Sequence, residues 1–260
     1  MTTVSEILHF LEELAPPERA YDFDNVGLLA GFPEKPVTRV LTALDVTEAV
    51  IGEAETVGAE LIVAHHPLIF HPLRAVRSDD ATGKKLIRLL QGGRSAICMH
   101  TNLDVAFGGV NDALAEVLGL RVTGILAPEG DGSWGLGRVG ELPEPMALDA
   151  FLARVKGRLL ASGLRYVSAG RPVHRVACCG GSGGSELDAA LRQGCDTYVT
   201  ADLKYDQLLR AQEEGINLID ADHFCTENVV VPKLRASLLG RFPDLNVTVS
   251  QVHGQTARFY

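Results

Sequence analysis

The chain is written twice, and this limits the folds open to its 260 residues more than any other feature. Arg39-Val40-Leu41-Thr42-Ala43 lies over Arg175-Val176-Ala177-Cys178-Cys179 at an offset of 136. The same offset pairs Ala54 with Ala190, Gly58 with Gly194, Glu60 with Asp196 and Val63 with Val199 without a gap. Each copy reads as strand, helix and strand, with Gly58 and Gly194 as left-handed helix stops. The register then changes, because Leu86, Arg88 and Gly93 match Leu208, Arg210 and Gly215 at an offset of 122. The first copy therefore carries 14 more residues, between His66 and Gly83, in the stretch that opens Pro67-Leu68-Ile69-Phe70-His71-Pro72-Leu73-Arg74. A further helix and strand close both copies, ending in Ala96-Ile97-Cys98-Met99 and Leu218-Ile219-Asp220. Helical patterns over Ser5 to Leu14 and Leu148 to Leu160 precede them.

Such alternation predicts an α/β protein of two similar domains from an internal duplication, with mainly parallel or mixed sheets and helices on both faces. The expected halves are residues 1–125 and 126–260, with the seam in the glycine-rich run from Gly124 to Gly140 and the final segment able to pack back on the first half. A net charge of −9 argues against general nucleic-acid binding, which rests on basic surface. No apolar run approaches the roughly 20 residues of a membrane span. The start Met1-Thr2-Thr3-Val4-Ser5-Glu6 lacks the basic region and apolar core of a secretion signal, so the expected compartment is the cytoplasm. The five cysteines, odd in number and without C-x-x-C spacing, read as reduced, mostly buried thiols.

Ligands of α/β sheets gather beyond the carboxyl ends of the strands, and the suspect polar groups all lie at such ends. His65-His66-Pro67 stops the apolar run Leu61-Ile62-Val63-Ala64. Neighbouring strand residues point to opposite faces, so two imidazoles converge only where the strand ends and the backbone turns. Pro67 keeps His66 extended or in a turn. The plainer reading of the pair is one buried and one exposed histidine. The next strand exit carries His100-Thr101-Asn102-Leu103-Asp104, where the Asp104 carboxylate can reach a metal shared with His65 or His66. After Asn217 to Asp220 come His223 and Glu227, which share one face if the helix has begun at His223. Asp104 also suits a cap for a helix starting near Val110, and Glu227 suits a helix N-terminus.

Together these donors exceed what one tetrahedral ion with an open position needs. Two ions about 3.5–4 Å apart, bridged by a carboxylate, use such a set, and zinc, iron, manganese or cobalt fits it better than calcium. In the second copy the places of His65 and His66 are taken by Ala201 and Asp202, and Asp202 and His100 are candidates for proton transfer or substrate orientation. The loop Cys179-Gly180-Gly181-Ser182-Gly183-Gly184-Ser185 offers Gly181, Ser182 and Gly183 as an anion cradle at a helix start, or else a tight packing turn. It is not a dinucleotide fingerprint, since Glu186 stands where the third glycine belongs.

Asn25-Val26-Gly27-Leu28-Leu29-Ala30-Gly31, His65-His66-Pro67-Leu68-Ile69-Phe70, His100-Thr101-Asn102-Leu103-Asp104, Gly137-Arg138-Val139-Gly140 and Asp222-His223 with Glu227 resemble the signatures of the NIF-three-like family. Its members are also called GTP cyclohydrolase 1 type 2 homologues or dinuclear metal centre hexameric proteins. The resemblance spans nearly the whole chain and implies two intertwined, similar α/β domains. It implies two divalent ions held by His65, His66, Asp104, His223 and Glu227, with Glu227 bridging, and a toroidal homohexamer with its sites facing the interior. The implied activity is metal-dependent hydrolysis of a small molecule such as a nucleotide or phosphate ester, and the alternative is a non-catalytic metal-binding, metal-delivery or scaffold hexamer. One departure stands out. Where the family often has glycine-aspartate, lysine, aromatic residues and then histidine, this chain has Ala201-Asp202-Leu203-Lys204-Tyr205-Asp206, which puts chemistry depending on that histidine in doubt.

Overall fold

A computed structural model describes residues 1–260. The chain forms two compact units, Met1–Leu103 with Val231–Gly254, and Asp104–Val230 with Gln255–Tyr260. The division thus falls at 103/104 rather than at 125/126, and a late segment of the chain belongs to the first unit.

The first unit opens with helix α1 (Val4–Leu14), whose N-terminus is closed by a capping box between Thr3 and Glu6. Strands β1 (Gly27–Ala30) and β2 (Arg39–Ala43), helix α2 (Glu48–Val57), strand β3 (Leu61–Ala64), helix α3 (Ala81–Gln91) and strand β4 (Ser95–Cys98) follow. The short helix α4 (Thr101–Val105) runs across the division between units.

In the second unit come α5 (Val110–Leu118), β5 (Arg121–Glu129), β6 (Trp134–Met146), α6 (Leu148–Leu159), β7 (Arg165–Val167) and β8 (Val173–Cys178). They are followed by α7 (Leu187–Arg192), β9 (Thr197–Thr200), α8 (Tyr205–Glu214), β10 (Asn217–Asp220) and α9 (His223–Glu227). The chain then re-enters the first unit with α10 (Val231–Arg241) and β11 (Asn246–Val249).

The first sheet has strand order β1-β4-β3-β2-β11 and the second β5-β6-β8-β9-β10-β7. The duplication is visible in the pairing itself. In the first sheet Val40 pairs with Leu61 and Leu61 with Ser95; in the second, Val176 pairs with Thr197 and Thr197 with Asn217. These are the positions that the offsets of 136 and 122 make equivalent. All four pairings are parallel, and each set of three strands is closed on one side by a short antiparallel strand, β1 or β7. The copies differ at the opposite side. There β2 takes parallel β11, whereas β8 takes the antiparallel hairpin β5-β6.

That hairpin corrects the reading of Gly124–Gly140 as a seam. The glycines belong to the two longest strands of the second sheet and to their turn. The hairpin is secured by Arg138, a fully buried guanidinium that forms a fork with Asp112 at 2.8 Å through both Nε and Nη2. It also donates to the carbonyls of Gly135, Gly137 and Ala106. With its donors met in this way, a charge that burial would otherwise penalise heavily is accommodated.

Alternation along the second sheet supplies two cores. Val176, Cys178, Val199 and Ile219 pack with Leu114, Phe151 and Val155 on one face, while Ala177, Tyr198 and Leu218 pack with Leu187, Ala190 and Ala211 on the other. In the first unit Leu41, Ala43, Ile62, Ala64 and Ala96 meet α2 and α3 through Ile51, Ala54, Leu86 and Leu89. The opposite face, with Val40, Leu61, Val63 and Ile97, is equally buried. No helix is long and apolar enough to cross a membrane.

Gly58 and Gly194 stand at the helix stops expected of them, at φ of +70° and +67°. Around Gly194 an added Cβ would meet nothing within 4 Å, and at Gly58 only the mobile Nη1 of Arg39 at 3.0 Å. Alanine at either position should therefore cost only the left-handed backbone penalty, about 1 kcal/mol. Urea unfolding of Gly58→Ala and Gly194→Ala should give similar losses of that size.

Candidate metal centre

Parallel strands in register end level with one another, so the residues just past β2, β3 and β4 become neighbours. His65 and His66 follow β3, and both of their amides donate to Leu44 O, at 3.2 and 2.9 Å. The turn this creates overrides strand alternation, and the two rings come to 5.0 Å between centroids. His100, two residues past β4, completes a trio, with its ring 5.2 Å from His65 and 5.6 Å from His66. One ligand atom from each of the three lies within 4.8 Å of the others.

Each of these imidazoles is oriented by an oxygen acceptor at Nδ1. His65 donates to Met99 O at 2.7 Å, His66 to Asp45 Oδ1 at 2.7 Å, and His100 to Asp24 Oδ1 at 2.8 Å. A carbonyl or carboxylate can only accept, so the proton sits on Nδ1 and, in the neutral ring, the lone pair on Nε2. Asp24 is itself anchored by Thr101, through its amide at 2.9 Å and its hydroxyl at 2.5 Å. Burial pushes its carboxyl up, but the hydrogen bonds from His100 and Thr101 outweigh that and hold it well below the usual carboxylate range.

The second unit offers its own donors. Helix α9 begins at His223, as the i, i+4 reading of His223 and Glu227 requires, and His223 Nε2 lies 2.9 Å from Glu227 Oε2. Asp222, at φ +70°, caps α9 by accepting from Cys225 N at 3.1 Å. Asp104 and Glu227 bring ligand oxygens within 4.8 Å of each other, and both residues are buried. Asp104 is a member of α4, not a cap for α5, whose N-cap is Gly109. Asn111, fully buried, ties the two elements by donating to Asp104 O at 2.9 Å and accepting from Gly180 N at 2.9 Å.

Asp202, a candidate for proton transfer, substrate orientation or support of a ligand, lies beside His223. It is exposed, at φ +54°, and its Oδ2 accepts from His223 Nδ1 at 2.7 Å, so it orients a donor imidazole as Asp24 and Asp45 do. His100, the other residue expected to move protons, stands within the imidazole trio. Asp206 is exposed in the first turn of α8.

The glycine loop is tied into the surrounding fold. Gly180 N is committed to Asn111, Gly181 N donates to Thr226 Oγ1 at 3.0 Å, and Gly183 N donates to Thr200 Oγ1 and Gly181 O, each at 3.0 Å. Ser182 is exposed between them. These bonds hold the loop as a tight turn that seats Glu227, whose Oε1 would lie 2.1 Å from a Cβ at Gly181. Cys225, close by in sequence, packs into the apolar core with Ile219 and Phe151, and burial pushes its thiol up to about 12. The carboxylates Asp24 and Asp45 are the functional residues that motif reading missed. The signal for Asp45 was its place just past β2, level with the histidine pair.

These features define a class: an α/β protein of two related units carrying histidine and carboxylate groups able to hold metal. The model of the Duf34/NIF3 (NGG1p interacting factor 3) family matches residues 2–256, and the chain belongs to that family. It is 35% identical over 252 residues to the GTP cyclohydrolase 1 type 2 homolog of Clostridium perfringens, covering 95% of this chain and 96% of that one. It is 33% identical to the protein NIF3 homolog of Schizosaccharomyces pombe, covering 95% of each. The crystal structure of a Bacillus cereus protein related to NIF3 superposes with a TM-score of 0.93 at 29% identity, over 100% of this chain and 99% of that one.

Two outcomes follow. Gly181→Ala, at φ +63°, should displace the Glu227 carboxylate, destabilising the protein by about 2 kcal/mol and lowering bound metal, as read by denaturation and elemental analysis. The second concerns pH. Burial lowers the His223 pKa, but Glu227 and then Asp202 raise it further, to about 9 from 6.5. A folded-state pKa above the unfolded one gives stability that is complete below about 6.5 and lost as pH rises through about 9. In metal-free protein the stability advantage over His223→Gln should therefore shrink across that window.

Proposed function

We propose that the protein holds two divalent metal ions on His65, His66, Asp104, His223 and Glu227, with His100 beside them, and that it is a hydrolase of a nucleotide or phosphate ester. One observation carries this reading: all four imidazoles have Nδ1 bonded to an oxygen acceptor, three of them aspartates. Metal-ligating histidines are oriented in this way, with the second nitrogen turned to the ion. The proton between His223 Nε2 and Glu227 Oε2 is the one a cation would replace. Mixed imidazole and carboxylate donors suit zinc, iron, manganese or cobalt.

When bound, such ions supply Lewis acidity toward a phosphoryl or carbonyl oxygen and make water a stronger acid. The chain's own contribution is orientation. Asp24, Asp45 and Asp202 fix the ring planes and tautomers, and the Gly180–Gly184 loop with Thr226 fixes α9 and hence Glu227. The reading includes a homohexamer in the cytoplasm that acts on a small molecule, and the net charge of −9 argues against nucleic acid as substrate. The name GTP cyclohydrolase 1 type 2 homolog, carried by relatives, makes GTP the first compound to assay.

A second reading, metal delivery or a metal-stabilised scaffold, is favoured by one observation. Asp202, one of the two candidates for proton transfer, is committed to holding His223 Nδ1.

Elemental analysis of protein purified without chelator should give two divalent ions per chain, and His66→Ala should lose at least one of them. Turnover of GTP or a phosphate-ester panel should fall by at least 100-fold in the same variant. Metal loss with no turnover in either protein would leave the second reading, and unchanged metal content in His66→Ala would remove both. Sedimentation of the native protein checks the hexamer.

A further inference from the structure

Phe23 and Phe70 remain 64% and 39% exposed beside the histidine trio. Phe70 lies 6.1 Å from His100 between ring centroids at 85°, and Phe23 lies 6.3 Å from Phe70 at 66°. Tyr21 extends the row, 5.7 Å from Phe23. Phe70 meets His100 and Phe23 at steep angles and Phe23 meets Tyr21 at 40°, so the partly exposed rings form a corner rather than a flat apolar patch.

The backbone beneath them is fixed. Asn25 Nδ2 donates to Ile69 O at 2.6 Å, which pins the segment carrying Phe23 to the segment carrying Phe70. Asp24, next to Phe23, holds both His100 and Thr101, and Tyr21 N donates to Thr101 Oγ1 at 3.0 Å. Exposed aromatic rings on so constrained a backbone are pre-organised, and ordering them at the moment of binding costs little. Phe70 also belongs to the 14 residues that the second copy lacks. The second copy completes the same parallel strands without them, so the repeated fold does not require this ring.

We propose that Phe23 and Phe70 form a stacking corner that receives a planar aromatic heterocycle whose anionic or chelating arm reaches the histidine trio. Every such heterocycle presents a π face, and an exposed phenyl ring offers the complementary surface without a hydrogen-bond pattern. A ligand touching Phe70 is one side chain from the donors, so the same compound engages both. The inference rests on the reading of His65 and His66 as metal ligands, with His100 beside them.

The test titrates metal-loaded protein with GMP and with ribose 5-phosphate by calorimetry, and measures metal content on the same samples. Phe70→Ala and Phe23→Ala should each weaken GMP binding by about tenfold, the scale of losing a stacking face. Ribose 5-phosphate affinity and metal content should not change, and Phe70→Trp should keep GMP affinity within about twofold. The proposal is overturned by wild-type protein that does not bind GMP, by alanine variants with unchanged GMP affinity, or by equal losses for both ligands. If the alanine variants change sedimentation and leave GMP affinity intact, the rings cover a second copy of the chain and the proposal fails. Wild-type protein that retains no metal would defeat the metal reading separately, because the GMP and ribose 5-phosphate comparison still reads the stacking.

Discussion

Everything at the candidate site depends on parallel strands being paired in register. Because Val40, Leu61 and Ser95 stand opposite one another, β2, β3 and β4 end at the same depth, and the residues just past them meet side by side. Asp45, His65, His66, Met99 and His100 are such residues, and their hydrogen bonds form between neighbouring strand ends. The second sheet repeats the arrangement through Val176, Thr197 and Asn217, and delivers Gly181, Asp202 and His223 in the same manner. A slip of one residue in either sheet would reverse which face each side chain addresses and scatter the donors.

The two copies use equivalent positions for opposite purposes. At the exit of β3 stands His66, an imidazole held by a carboxylate from the neighbouring strand end. At the equivalent exit of β9 stands Asp202, a carboxylate that holds an imidazole from the neighbouring strand end. The hydrogen bond is of the same type and length, with donor and acceptor exchanged between the strands. Duplication thus retained the geometry while its chemistry was redistributed, and the positive φ of Asp202 and Asp222 marks where the second copy bends to accommodate it. Backbone held in a sparsely populated region persists only where the surroundings compel it, here around His223.

Much of the fold was legible in the residues. The offsets of 136 and 122 correspond one for one to strand pairings, because a repeated pattern of apolar residues and helix stops imposes the same local elements twice. The i, i+4 spacing of His223 and Glu227 placed both on one short helix, and the abrupt end of the apolar run placed His65 just past β3. Gly124–Gly140 misled because a glycine-rich composition is shared by connectors and by twisted hairpins, and only its partner strands distinguish them. The loop at Gly180–Gly184 stayed open between an anion cradle and a packing turn for a related reason. Free amides at a helix start suit an anion, but here Asn111, Thr200 and Thr226 reach them from distant parts of the chain.

By itself, then, the sequence determined the order of elements, their duplication and which residues are candidate donors, all of which follow from local periodicity and side-chain chemistry. The tertiary structure decided which acceptor orients each imidazole, that Asp202 positions His223, and that Glu227 is seated by glycines. It also decided that the chain returns to its first unit through α10 and β11. These are contacts between residues far apart in sequence, where no spacing rule applies, and pairing, burial and the need to satisfy each buried polar group select the partner.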